Sequence, residues 1–248
     1  MSRNWMIPLL GALAVMASTA YAAVPANLTQ ALADKGRPAA DVARDAARKP
    51  GELLALGRVK SGGKVADLIM GGGYFTRILA AAVGPKGHVY AYQPSEFIQF
   101  RAAYADEQKA VAATYPNVTP LTSPFSGLDL PDGLDMVMTV QNYHDLHLTP
   151  FAGDTAAKVN AEVFKSLKHA GIYLVVDHEA LRGSGLAAAN SVHRLEPSIA
   201  RQEIEAAGFK LVSESPLLRN PADPRTANVF DPSIRGQTDQ WVMVFRRP

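Results

Sequence analysis

The chain contains no cysteine, which excludes a disulfide framework, a thiolate nucleophile, thiolate-bound zinc and a lipoprotein anchor. It also has little net charge: 25 Lys and Arg against 23 Asp and Glu leave +2. Such a balance gives no electrostatic footprint for gripping a phosphate backbone, so nucleic acid is a poor partner. Long apolar runs are missing too. The longest, Met6 to Ala17, is interrupted by Pro8 and falls short of the roughly 20 residues needed to span a bilayer. What remains is an ordinary globular composition, 48% hydrophobic and 19% charged over 248 residues, enough to bury a substantial core.

The N-terminus reads as an address. Arg3 supplies a positive start, Met6 to Ala17 an apolar stretch, and Ala20-Tyr21-Ala22 the small residues a signal peptidase reads, a pattern that predicts cleavage after Ala22 and export to a periplasm. The competing reading is an uncleaved anchor, which the short apolar stretch disfavours. The expected organisation is a signal peptide over 1–22, a helical lead-in over 23–60 and the main domain over 61–248, with no stable membrane anchor after cleavage.

Ala26 to Leu56 carries a helical pattern, with Pro38 near one helix start and Pro50-Gly51 breaking the run. Lys64 to Ile69 is a short apolar run between glycine-rich punctuation, the mark of a buried strand. Tyr74 to Val83 then places Phe75, Ile78, Leu79 and Ala82 on one helical face, and Gly84-Pro85-Lys86-Gly87 stops it before a second strand, His88 to Tyr92. The alternation continues: a helix over 95–114, strands near 118–121 and 136–140, a helix over 154–168 and a strand over 172–176. Strands alternating with helices predict an α/β fold with a mostly parallel sheet covered on both faces. The end departs from this, with a helix over 197–207 and then two strands, 209–214 and 240–245, with no helix between them. They predict an antiparallel pair at the sheet edge.

In a doubly wound sheet, ligands bind beyond the carboxyl ends of the strands where the order reverses. The residues following the strands are therefore Gly71-Gly72-Gly73, Gln93, Gln141 to His147, and Asp177-His178-Glu179. Four of the six histidines, His144, His147, His178 and His193, fall in or near these segments. Glycines at a strand-to-helix turn let a ligand approach the backbone closely, and with Asp67 inside the strand and Gln93 ending the next they favour a nucleoside site.

Val65-Ala66-Asp67-Leu68-Ile69-Met70-Gly71-Gly72-Gly73-Tyr74 resembles the first motif of class I S-adenosylmethionine-dependent methyltransferases, a strand ending Asp-Leu-Gly-x-Gly-x-Gly. The resemblance runs from about Arg37 to the C-terminus. It is most similar to a group of exported bacterial predicted methyltransferases, through Gly72-Gly73-Tyr74-Phe75-Thr76, Asn142-Tyr143-His144-Asp145, Arg219 to Asp223 and Asn228 to Pro232. It implies the Rossmann-like methyltransferase fold, seven strands with antiparallel C-terminal edge strands, and S-adenosylmethionine as cofactor, with a divalent metal as an additional candidate. It also implies methyl transfer to a small-molecule acceptor. Asp67, Gly71, Gly72, Gly73, Gln93 and Asn142 would then line the nucleoside, and His144, Asp145 and Tyr143 would face the acceptor. Two positions depart from the pattern: Ile69 stands at the first motif glycine, and Gln93 replaces the acid that accepts both ribose hydroxyls, a loss of about 1 kcal/mol or more.

His144, with an ordinary pKa of about 6.5, is the candidate general base, oriented by Asp145, although an Asp-His pair can equally cap a loop. His144, Asp145, His147, Asp177, His178 and His193 also compose a donor set suited to zinc, iron, nickel or manganese, without the spacing of a known signature. Glu179 reads as an exposed loop residue. In 217–240 the balanced charges predict a loop ordered by Arg-Asp pairs, or a lid whose arginine meets an anionic substrate. Arg37, Asp41, Asp45 and Arg48, three and four apart, predict a salt-bridged helix face. The alternative to an enzyme is a periplasmic small-molecule or metal-binding protein on the same fold without the cofactor.

Overall fold

The computed structural model describes residues 23–248 except Ala152, so the expected signal peptide lies outside the described residues. The chain opens with four short helices, α1 (Ala26–Leu32), α2 (Ala39–Val42), α3 (Asp45–Arg48) and α4 (Pro50–Leu56). The helix start near Pro38 and the break at Pro50-Gly51 are written in the sequence; the further break between α2 and α3 is not. Pro38 caps α2 and Pro50 starts α4, positions where a missing N–H costs nothing.

The α/β body follows as β1 (Lys64–Leu68), α5 (Tyr74–Val83), β2 (His88–Tyr92), α6 (Ser95–Phe100), α7 (Ala103–Thr114), β3 (Val118–Leu121), β4 (Leu134–Val140), α8 (Thr155–Ser166), β5 (Leu167–His178), α9 (Ala187–Val192), α10 (Pro197–Ala206), β6 (Lys210–Ser215) and β7 (Gln240–Arg246). The expected helix over 95–114 is two helices, because Arg101 turns extended between them. β5 begins directly at the end of α8, earlier than its apolar stretch indicates. The sheet order is β3-β2-β1-β4-β5-β7-β6. β1 pairs in parallel with both β2 and β4, while β7 is antiparallel to both β5 and β6. The last strand therefore inserts between β5 and β6, and β6 takes the edge, where its largely exposed, polar sequence suits an unpaired side.

Alternation along the strands splits the core into two halves. Val65, Val89, Met136, Met138, Leu174 and Val244 pack toward α1, α4 and α5. Their neighbours Ala66, Leu68, Val137, Tyr173, Val175 and Met243 pack toward α8 and α10, as a period of two requires when both faces are covered. Among the described residues no helix is long and apolar enough to cross a membrane.

The stretch between β6 and β7 is irregular but anchored. Arg194, just after α9, is completely buried and forms a two-pronged pair with Asp223, whose side chain is buried as well, at 2.8 and 3.2 Å. Its remaining donors reach the carbonyls of Ala227 and Glu179. A further knot forms where Arg219 and Arg225 converge on the buried Asp239 at 2.9 and 2.7 Å and flank Glu179. Arg219 and Arg225 are thus engaged in pairs within the loop. Glu179 correspondingly is not an exposed loop residue: its side chain is only 14% exposed.

Candidate active site

The strand order reverses between β1 and β4, and beyond their carboxyl ends opens a cleft of about 1220 Å3. The turn after β1 forms one wall. Ile69, Gly71 and Gly73 all have positive φ, 65°, 54° and 83°. For the two glycines that conformation is free, but for a β-branched residue it costs on the order of 1–2 kcal/mol. The backbone thus keeps the left-handed bend at all three motif positions even where the side chain opposes it.

The two glycines serve different ends. A Cβ on Gly71 would meet nothing within 4 Å, so open space lies over that peptide, whereas one on Gly73 would sit 2.6 Å from Val111 Cγ2. Gly71 and Gly72 line the cleft; Gly73 lets α5 pack on α7. Gln93 is completely buried, and its Oε1 accepts the Gly71 N–H at 2.9 Å. Its carbonyl braces the turn, and Gln93 stands behind the turn and not in the cleft lining, where the expectation had it accept a ribose hydroxyl. Its Nε2 is buried with no partner.

Asp67 lies in the same wall, almost fully buried, accepting the Thr76 hydroxyl at 2.6 Å. Burial raises its pKa to about 6, against the hydrogen bond from Thr76 and the charge of Arg48. Arg48 is the residue that spacing placed wrongly. Its neighbours do pair, Arg37 with Asp45 at 2.9 Å and Arg44 and Arg77 with Asp41 at 2.6 and 3.0 Å. Arg48 instead stacks over Tyr74 and Phe75, 4.5 and 5.0 Å from their ring centres, and lines the cleft. Its Nε is buried without a partner, and burial lowers its pKa to about 10.

The opposite wall comes from the turn after β4, where His144–His147 forms one turn of 3-10 helix. The buried His144 ring places Nδ1 2.8 Å from Asp177 and Nε2 3.2 Å from Asp145. Burial opposes the imidazolium, but the two carboxylates outweigh it and raise the pKa to about 10. That corrects the expectation of a base poised near neutrality: at pH 7 His144 holds its proton. Asp145 is in turn held well below the usual carboxylate range by His144, with Asn142 donating to its Oδ2 at 3.0 Å.

The other predicted residues separate into cleft lining and core. Asn142, His178 and His193 line the cleft. Tyr143 does not: it is fully buried in the half of the core that packs toward α8 and α10, donating to Glu203 and accepting from Asn160 at 3.0 and 2.7 Å. His147 joins it there, 3.2 Å from Glu203, because successive residues of a tight turn diverge. His178 binds Thr238 through Nδ1 at 2.7 Å, and burial with the neighbouring charge of His144 keeps it neutral, well below the ordinary value. The rest of the cleft is aromatic: Phe97, Phe100, Tyr104, Phe125, Phe151 and Phe230 contribute to its lining, and Phe100 is 90% exposed at the rim. Sequence reasoning passed over these rings, although Phe97 and Phe100 stand three apart on α6, a spacing that shares a helix face.

No family model matches the sequence, and no curated protein matches it significantly. In structure the chain is similar to a SAM-dependent methyltransferase from Aquifex aeolicus, with a TM-score of 0.58 and 20% identity over 80% of this chain and 89% of that one. It is also similar to a possible exported protein from Bordetella parapertussis, with a TM-score of 0.54 and 14% identity over 81% of this chain and 67% of that one. A third likeness is to the cyclase SpnF, with a TM-score of 0.59 and 14% identity over 90% and 93% of the two chains. The Rossmann-like architecture of class I methyltransferases is thereby established, mostly parallel with antiparallel C-terminal strands. At these identities the chemistry has to be argued from the cleft.

Proposed function

We propose that the protein transfers a methyl group from S-adenosylmethionine to a small-molecule acceptor bound in the aromatic half of the cleft. The observation that carries this reading is the turn after β1: its backbone is left-handed at all three motif positions, and open space lies over Gly71 where a Cβ would fall. Arg48, whose Nε is buried without a partner, lines the cleft and carries a guanidinium that the amino-acid portion of the nucleoside would satisfy, so the residues present fit the cofactor.

When bound, the cofactor supplies an electrophilic methyl on a sulfonium. The chain's own residues do the rest by position. Arg48 would pair with the carboxylate of the amino-acid portion, a charge-assisted contact. Gly71 and Gly72 let the chain of the ligand pass close to the backbone. The Phe97, Phe125 and Phe151 rings would hold an acceptor with a flat apolar body and exclude water from it. His144 and His178, both on the cleft lining, would orient a polar group of the acceptor. Export and the removal of residues 1–22 belong to the same proposal, and a small-molecule acceptor requires no macromolecular partner.

A second reading, a binding protein without the cofactor, is favoured by one observation: the buried Ile69 side chain belongs to the cleft lining. Calorimetric titration with S-adenosylmethionine and S-adenosylhomocysteine separates the two. Micromolar or tighter binding is expected, and Ile69→Gly should tighten it several-fold while lowering stability by about 1–3 kcal/mol, the lost burial outweighing the relieved strain. If neither the native chain nor Ile69→Gly takes up either nucleoside, the methyltransferase reading fails and the binding protein stands.

A further inference from the structure

Six potential metal donors follow β4 and β5 or stand at His193, and the fold sorts them. His147 is turned away from the cleft, beside Tyr143 and against Glu203, and His178 spends Nδ1 on Thr238. Three residues remain together: the side-chain donor atoms of His144, Asp145 and His193 all lie within 4.8 Å of one another. His144 Nε2 is 3.2 Å and His193 Nδ1 3.9 Å from the same oxygen, Asp145 Oδ1. Two ligands about 2.1 Å from a shared ion at near-tetrahedral angles lie about 3.4 Å apart, so the three atoms need only small shifts to meet around one.

Three details distinguish this cluster from an ordinary ion pair. The far nitrogen of His144, Nδ1, is fixed by Asp177 at 2.8 and 3.0 Å, the carboxylate–imidazole arrangement that presents the other nitrogen to a metal and raises its basicity. Asp145 has its Oδ2 engaged by Asn142, which leaves Oδ1 directed between the rings. His193 Nδ1 is buried and has no hydrogen-bond partner, although its residue is held at φ 56° and its ring is packed between His144 and Phe230, 5.0 to 5.4 Å from each. A nitrogen ordered so closely and left unsatisfied is costly unless something occupies the space before it.

The geometry points to a divalent transition-metal site formed by His144, Asp145 and His193 on the acceptor side of the cleft, with Asp177 positioning His144 from behind. Two imidazoles and one carboxylate suit manganese, iron, cobalt, nickel or zinc better than magnesium or calcium. All three residues line the cleft, so the coordination positions they leave open face the space where an acceptor oxygen or nitrogen would sit. Only that purpose, holding the acceptor, rests on the proposed methyl transfer; the binding of the ion does not.

The test uses chelator-stripped protein titrated with cobalt(II) alone, followed by its visible absorption bands, with zinc as competitor. One equivalent should bind in the micromolar range or tighter. His193→Ala and Asp145→Asn should each weaken it at least tenfold, and Asp177→Asn by roughly 10- to 100-fold, while His169→Ala, an exposed histidine at the start of β5, should leave it unchanged. The His193 side chain is a quarter exposed, so its truncation keeps the test sound even if the Asp145 variant does not fold. Absence of one-equivalent binding, or affinity unaffected by His193→Ala, overturns the site. Titrating the same samples with S-adenosylmethionine keeps the two proposals apart: cobalt bound without nucleoside retains the metal site and removes the methyltransferase, and nucleoside bound without cobalt does the reverse.

Discussion

Replacing Asp67 by asparagine removes a buried charge while keeping the shape that accepts the Thr76 hydroxyl. The carboxyl is almost fully buried, with the Thr76 hydroxyl and the charge of Arg48 acting on it, and its pKa stands at about 6 against an ordinary 3.8. A carboxyl with a raised folded pKa binds its proton more tightly folded than unfolded. Stability is therefore lost as pH rises from about 3.8 through about 6, and the loss is complete above. A shift of about two units corresponds to roughly 3 kcal/mol, of which about 2 kcal/mol develops between pH 4.5 and 7.5. A neutral amide escapes this penalty. Asp67→Asn should gain about 2 kcal/mol on the native chain between those two pH values, a relative rise in melting temperature of about 4–8 °C for a chain of this size. Differential scanning calorimetry at four or five pH values reads it. A difference between the two proteins that stays constant with pH, or an asparagine variant that loses ground as pH rises, would refute the claim that Asp67 is held ionised at a cost. The same substitution should weaken nucleoside binding if the charge is retained for function, the usual exchange at a site where stability has been given up.

Two further outcomes are expected. Arg194→Met should cost about 3–5 kcal/mol by stranding the Asp223 carboxylate in the core, and limited proteolysis should then cut within 217–240; an unchanged melting temperature would show that the pair does not anchor the loop. Gly71→Ala should lower stability by only about 1 kcal/mol, the cost of a left-handed alanine, while abolishing nucleoside binding. Gly73→Ala, whose methyl would overlap Val111, should instead lose stability by about 2–4 kcal/mol; equal losses from both on both measurements would contradict the different roles assigned to the two glycines.

The strand run Val65 to Leu68, the amphipathic α5 and the strand at His88 were legible because each is written in local periodicity. So was the site's general place, since residues following parallel strands must collect at one edge. What each residue does there was not legible. Spacing put Arg48 in the same helical face as Asp41 and Asp45, but α2 and α3 are separate helices, and the break releases Arg48 to the cleft. Tyr143 and His144 are adjacent in sequence, yet His144 lines the cleft and Tyr143 is buried in the core away from it, a divergence set by one 3-10 turn. His144 owes its raised pKa to Asp177 as well as to its neighbour Asp145, and Asp177 lies 33 residues away, a pairing no local pattern contains.

The sequence by itself determined the alternation of strands and helices, the glycine turn and the concentration of histidines beyond β4 and β5, because hydrophobic period and turn chemistry act over a few residues. Only the tertiary structure decided which carboxylate meets which imidazole, that Gln93 braces the turn, and that three of six potential metal donors converge. Those outcomes depend on distances between elements far apart in the chain, and on burial, which sets whether a side chain is charged, and neither is a property of any short stretch of sequence.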